Sequence, residues 1–203
     1  MKKVVKNILA PVVIIVLAAL FRVIPHMPNF APITAMALFG GVYLGRRYAL
    51  LVPLLVMLLS DYLLLYVNPF GAHMFRFNHL YPPQALWYGT PIIAVYGSFL
   101  ISSLIGLWLK THKNITNIIF ATLIASIQFF LITNTAVWIN GMYDRSLLGL
   151  WESYIAGIPF FRWTVAGDFF YTGVFFGAYE LIAKIVFATN LLRRRPSAYR
   201  TLR

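Results

Sequence analysis

Six apolar segments dominate the pattern of hydrophobic and polar positions along the chain. Five of them reach the length of about 17–25 residues that a helix needs to cross a bilayer, whereas the second is shorter. The pattern predicts an all-α integral membrane protein, a single domain over residues 1–203 with six transmembrane helices. The segments cover residues 8–24, 30–44, 48–67, 85–109, 115–139 and 163–189.

Basic residues are concentrated at the ends of alternate segments. Of 17 Lys and Arg residues, 12 lie near the two termini or in the short turns after the second and fourth segments. Cytoplasmic loops carry an excess of Lys and Arg. We therefore predict six crossings with both termini in the cytoplasm, in a bacterial cytoplasmic (inner) membrane. The first segment lacks a small-x-small cleavage site, so we interpret it as an uncleaved helix.

The composition excludes most other classes of protein. Hydrophobic residues make up 61% of the chain and charged residues 11%, against about 25% charged residues in a soluble domain. A net charge of +12 would suggest nucleic acid in a soluble protein, but here the topology accounts for it, so we predict no nucleic-acid partner. The chain has no cysteine, and we predict neither a metal site nor a cofactor.

Two long loops, residues 68–84 and 140–162, fall on the outer side and are rich in aromatic residues. Apolar residues recur at helical spacing in the second loop, which predicts a short helix on the membrane surface. His73 and His79 lie in the first loop, six residues apart. That is not a zinc spacing, so we interpret them as solvent-facing or as ligand contacts.

Strong polar side chains recur in the outer thirds of several segments. Ionisable residues inside a membrane span are rare and usually functional, so this shared depth predicts a polar ligand cavity that opens outward. The alternative is that Asp61 with Arg22, and Asp168 with Arg162, form ion pairs that only tie helices together. The predicted substrate-binding residues are Arg22, Asp61, Asn134, Trp138, Arg162, Asp168 and Tyr171, together with His73 and His79.

The second segment is short enough to leave room for such a cavity. Its 15 residues span only about 22 Å, and Asn29 and Pro32 suit the start of a helix. Ala37, Gly41 and Gly45 repeat at four-residue spacing. Small residues allow helices to approach closely, so this stripe is either packed within the chain or a docking face for a partner helix.

Several motifs carry a family resemblance: residues 28–41 (PNFAPITAMALFGG), LGRR at 44–47, LLSD at 58–61, FFLITN at 129–134 and IPFFR at 158–162. They resemble the substrate-binding S components of energy-coupling factor (ECF) vitamin transporters, and more closely a related uncharacterised group of transport-like proteins. The resemblance implies six helices, cytoplasmic termini and an outward pocket. It also implies a coupling membrane subunit and two cytoplasmic ATPases as partners.

The first segment departs from the family pattern, because it lacks the Ala-x-x-x-Ala spacing through which such subunits often dock. The alternative that the protein is an importer that works without a coupling module therefore stays open. We expect a substrate-binding membrane subunit of a vitamin or cofactor-type importer, not an enzyme, with a small organic ligand such as a vitamin or a tetrapyrrole. The alternatives are an intramembrane enzyme that uses Asp61 and Asp168 as an acid/base pair, and a membrane scaffold protein.

Overall fold

A computed structural model describes residues 2–22, 24, 29–64 and 90–194, and the regular structure in them is entirely α-helical. Three helical stretches, Ile92–Thr111, Ile115–Ile139 and Leu147–Thr189, are long and apolar enough to cross a membrane. Leu9–Phe21 and Ile33–Tyr43 are shorter apolar helices. The protein is therefore a helical membrane protein. Its six described helices are α1 (Lys2–Phe21), α2 (Ile33–Tyr43), α3 (Arg46–Leu63), α4 (Thr90–Thr111), α5 (Ile115–Ile139) and α6 (Leu147–Arg194).

The short helix α2 lies at the centre of the bundle. It contacts each of the other five helices, and its residues 34–42 are all buried. Its composition permits this position: α2 contains no charged residue and several small ones, including Ala35, Ala37, Gly40 and Gly41, and small residues let neighbouring helices approach closely. It begins directly after Pro32 without a side-chain cap, while Asn29 adopts a left-handed backbone with φ of +64°.

Interhelical contacts show the direction of each helix. Lys113, in the turn between α4 and α5, pairs with Glu180 of α6, so we call this the Lys113 end of the bundle. At the other end, which we call the Asn140 end, the Ser153 hydroxyl donates to the carbonyl of Asn134. Helices α5 and α6 are therefore antiparallel, and α2 runs parallel to α6.

The small residues of the second segment pack within the chain. Gly41 sits against Gly106 of α4, where a Cβ on Gly41 would lie 2.6 Å from the Gly106 Cα. Ala37 is 1% exposed and packs with Phe99. Gly45 caps α3 and is exposed. Of the two interpretations of this stripe, the structure shows internal packing for Ala37 and Gly41, so neither is available to a partner helix.

The helix α6 differs most from its expected bounds. It begins at Leu147 and continues without a break through Pro159 to Arg194, a length of about 72 Å at 1.5 Å per residue. Its first turns do not form a separate surface helix. They pack along α5 instead, where the Tyr154 hydroxyl lies 2.7 Å from that of Thr135. The helical spacing in this loop was interpreted correctly as a helix, but that helix is continuous with α6 and is not a separate short one.

The start of α5 shows how closely local signals can fix a helix. Asn114 precedes it in an extended conformation, and its side chain accepts a hydrogen bond from the Asn117 amide at 2.7 Å. This is the arrangement expected of an Asn N-cap. The observed helix, Ile115–Ile139, coincides with the predicted segment.

Candidate functional site

A cavity lies between the segment that leads into α2 and the helices α4, α5 and α6. It consists of two adjoining pockets, of about 190 Å³ and about 70 Å³, which share Asn29, Phe129 and Thr164 as lining residues. We call it the Asn134–Asp168 cavity. The larger part is lined in addition by Phe130, Thr133, Asn134, Gly157, Phe160 and Phe161, and the smaller by Ala31, Ile33, Thr34, Phe99 and Asp168.

Asp168 contributes the carboxylate of the smaller part and is 1% exposed. The Ser126 hydroxyl donates to its Oδ2 atom at 2.7 Å, and the Thr34 side chain also hydrogen-bonds to it. Ser126 lies near the middle of α5, so Asp168 is at half the height of the bundle. This is deeper than the sequence indicated, because α6 starts further toward the N-terminus than expected.

Asn134 lies in the larger part, nearer the Asn140 end. Its side-chain amide donates to the Phe130 carbonyl at 2.8 Å. The close approach of α6 here depends on Gly157, because a Cβ at that position would lie 2.5 Å from the Asn134 Oδ1 atom. The predicted residues Asn134 and Asp168 thus line two adjoining pockets that share part of their walls.

Aromatic rings form much of the cavity wall. Phe99 and Phe129 stack with their ring centroids 5.4 Å apart, and Phe130 and Phe161 lie 4.6 Å apart in a tilted arrangement. No sequence signal marks Phe99, Phe129 or Phe130 for this role. Phenylalanines occur in five of the six predicted segments, and nothing in their spacing separates cavity walls from lipid-facing positions.

Asp61 and Arg22 belong to a different cluster, between α1, α3 and α4. The Arg22 guanidinium lies 2.7 Å from the Asp61 carboxylate and also donates to the Ser60 hydroxyl. The Tyr96 hydroxyl donates to the second carboxylate oxygen of Asp61 at 2.7 Å. Neither residue lines the Asn134–Asp168 cavity. Their contacts are those of an ion pair that ties helices together.

Three other predicted site residues also lie away from the cavity. The Trp138 indole donates to the carbonyl of Asp144 in the α5–α6 turn at 2.8 Å. Tyr171 is buried in an aromatic cluster, 5.4 Å from Phe30 between ring centroids. Arg162 is exposed and lies over the Trp163 ring at 5.4 Å. The alternative in which Arg162 and Asp168 form an ion pair is not seen, because the described partners of Asp168 are the hydroxyl groups of Ser126 and Thr34.

His73 and His79, and the aromatic loop of residues 68–84 that contains them, lie outside the described residues. Within the part of the chain that the structure describes, there is no group of three or more His, Asp or Glu side chains that could hold a metal ion.

A second polar cluster closes the Lys113 end. The Lys113 ammonium lies 2.5 Å from the Glu180 carboxylate, and the Tyr43 hydroxyl donates to the same oxygen at 2.9 Å. These contacts of Glu180 tie α2, the α4–α5 turn and α6 together.

A family model described as a family of unknown function, DUF6580, matches residues 2–191. No curated protein and no solved structure matches the chain significantly.

Proposed function

This chain belongs to DUF6580, a family of unknown function, and we propose from its cavity that it is the substrate-binding membrane subunit of an importer for a small organic ligand. The observation that carries the proposal is the Asn134–Asp168 cavity itself. A fully buried carboxylate, an amide and hydroxyl groups converge between phenyl rings. Small-molecule sites have this character: mostly apolar walls with a few polar groups that fix orientation.

The size of the cavity narrows the range of ligands. Its parts of about 190 Å³ and about 70 Å³ are at or below the lower end of the roughly 300–1,000 Å³ typical of drug-sized ligands. This volume favours a compact ligand, of the size of a small vitamin or less, over a tetrapyrrole.

The proposed topology has six membrane spans, both termini in the cytoplasm of a bacterial inner membrane, and the Asn140 end outside. The alternating helix directions support it, and so does the charge distribution. Arg46, Arg47, Lys110 and Lys113 lie at the ends of helices that meet at the Lys113 end, as expected of a cytoplasmic face. The cavity then occupies the outer half of the membrane, where an importer would receive its substrate.

The resemblance to ECF S components supports a coupling membrane subunit and cytoplasmic ATPases as partners. The sequence contains no Gly-x-x-x-x-Gly-Lys-Ser/Thr loop, the motif that cradles nucleotide phosphates. We propose that any ATP hydrolysis belongs to such a partner. Because Ala37 and Gly41 are covered by α4 and other helices of the chain, a partner would have to dock on another surface.

The enzyme alternative receives less support from the geometry. Asp61 is held by Arg22 and Tyr96, whereas Asp168 is held by Ser126 and Thr34. An acid/base pair needs both carboxyl groups within reach of one substrate. The two groups share no hydrogen-bond partner and do not line the same cavity.

Native mass spectrometry of gently purified protein tests the proposal. Wild-type protein is expected to retain a small organic molecule in addition to lipid. Gly157→Ala should lose it, because the new Cβ meets the Asn134 amide. The matched control is Gly173→Ala, also on α6, where a Cβ meets nothing within 4 Å. Thr164→Val serves as a second cavity variant if Gly157→Ala folds poorly. Wild-type protein that carries only lipid and detergent would contradict the proposal.

A further inference from the structure

The charge of the Asn134–Asp168 cavity is unbalanced. Asp168 is the one charged side chain among the described residues that line it. Two basic groups elsewhere in the described bundle are engaged with other carboxylates, Arg22 with Asp61 and Lys113 with Glu180, and Arg162 is exposed over the Trp163 ring. Charged groups inside a membrane protein are usually paired with one another. A positive charge to match Asp168 is therefore missing from the described part of the cavity.

The groups that do contact Asp168 are neutral. Ser126 and Thr34 donate hydroxyl hydrogen bonds to its carboxyl group. Thr34 lies in the first turn of α2, so the N-terminus of that helix is near Asp168. None of these neighbours carries a positive charge. A ligand that enters the cavity meets the carboxyl group at its inner boundary, where a cationic group would favour the ionised carboxylate.

The walls of the cavity also favour a positively charged ligand. Five phenyl rings line the two parts, and the face of an aromatic ring attracts cations. The remaining polar groups are neutral amides and hydroxyls. An anionic ligand would meet a carboxyl group and several phenyl rings without a basic partner among the described residues. The five rings belong to Phe99, Phe129, Phe130, Phe160 and Phe161.

We infer that the cavity binds a compact organic cation, with an ammonium group between Asp168 and the rings of Phe99 and Phe129. This inference rests on the proposed function and names its substrate class. The uncharged part of the cation extends into the larger part of the cavity, toward Asn134 and Thr164. A carboxylate together with ring faces is the combination that recognises primary and quaternary ammonium ions in water-excluded sites.

Two pairs of probes that differ in charge but hardly in shape test this inference. The first pair is choline and 3,3-dimethylbutan-1-ol, in which a carbon replaces the nitrogen; the second is benzylammonium and benzyl alcohol. Benzoate serves as the anionic probe. Binding is measured by isothermal titration calorimetry on the full chain in lipid nanodiscs. At least one cation is expected to bind about tenfold or more tightly than its neutral partner, and benzoate is expected to bind most weakly.

Two variants connect the preference to the site. Asp168→Asn should remove most of the preference for the cation while leaving the affinity for the neutral probe unchanged. Phe129→Leu, which keeps an apolar wall but removes an aromatic ring, should weaken the binding of the cation more than that of the neutral probe. Asp144→Asn, in the exposed α5–α6 turn, is the matched control and should change neither affinity.

The possible results separate this inference from the proposed function. Equal affinity for cations and neutral partners, preference for benzoate, or cation binding that survives Asp168→Asn would overturn the inference. If neither cation binds but the purified protein retains a neutral or anionic small molecule, the inference is wrong and the proposed function stands. If the protein retains no small molecule and binds no probe, both fail.

Discussion

The crossing of α2 and α4 gives a sharp test of the fold, through the substitution Gly41→Ala. The two backbones meet at Gly41 and Gly106. A Cβ at Gly41 would lie 2.6 Å from the Gly106 Cα and 2.7 Å from its carbonyl carbon, where ordinary contact is 3.4–4 Å. Backbone atoms cannot rotate away as a side chain can. The two helices therefore have to separate by about 1 Å to admit one methyl group.

The cost follows from two opposing terms. Overpacking a close helix contact costs about 1–3 kcal/mol, and this position belongs at the upper end because the obstacle is backbone. Alanine in place of glycine stabilises a helix by about 1 kcal/mol through its higher helix propensity. The net expectation is a loss of about 2 kcal/mol in the free energy of unfolding. Because α2 contacts all five other helices, the displacement also disturbs their packing.

Unfolding in detergent micelles, followed by loss of helical circular dichroism, measures the effect. Gly173→Ala on α6 is the control, because its Cβ would meet nothing within 4 Å. That variant should be as stable as the wild type or more stable by up to about 1 kcal/mol. If Gly41→Ala is as stable as Gly173→Ala, α2 and α4 do not cross at Gly41 and the described packing is wrong.

Three further predictions concern residues away from the cavity. Asp61→Asn should lower the free energy of unfolding by about 3 kcal/mol, because Arg22 loses its partner in a buried ion pair. Thermal melts measure this loss. Reduced ligand binding by the folded variant would contradict the assignment of Asp61 to a structural ion pair. Trp138→Phe removes one hydrogen bond to the α5–α6 turn and should cost about 1 kcal/mol in the same melts, again without an effect on binding. Single cysteines at Lys113 and Ser146, in a chain without native cysteine, should react with membrane-impermeant reagents from the cytoplasm and from outside, respectively; the reverse pattern would overturn the topology.

The sequence predicted the bounds of a helix correctly where a long apolar segment ends at polar residues on both sides. Helix α5 lies between a polar turn and Asn140, so its observed bounds equal the predicted ones. The bounds of α6 were harder to predict, because Pro159 and Arg162 separate the short helix predicted in the second loop from the segment 163–189. The structure continues one helix through both, and no signal in the sequence marks this continuity.

The site was predictable only in part, for a similar reason. Asn134 and Asp168 are polar residues in apolar segments, so depth alone could identify them. Asp61 had the same signature, yet the structure pairs it with Arg22. A polar residue lines a cavity or joins an ion pair according to the face of the helix on which it lies and the helices packed against that face. Ser126 and Gly157 were missed because a serine or a glycine in a membrane helix is ordinary until its partner across the interface is known.

A cryo-electron microscopy structure of the protein purified from native membranes tests the central claim most directly. The account predicts non-protein density inside the Asn134–Asp168 cavity, within contact distance of Asp168, Thr164 and the ring of Phe129. A cavity that is closed by its own side chains, or filled by another part of the chain, would contradict the assignment of this protein as a substrate-binding subunit.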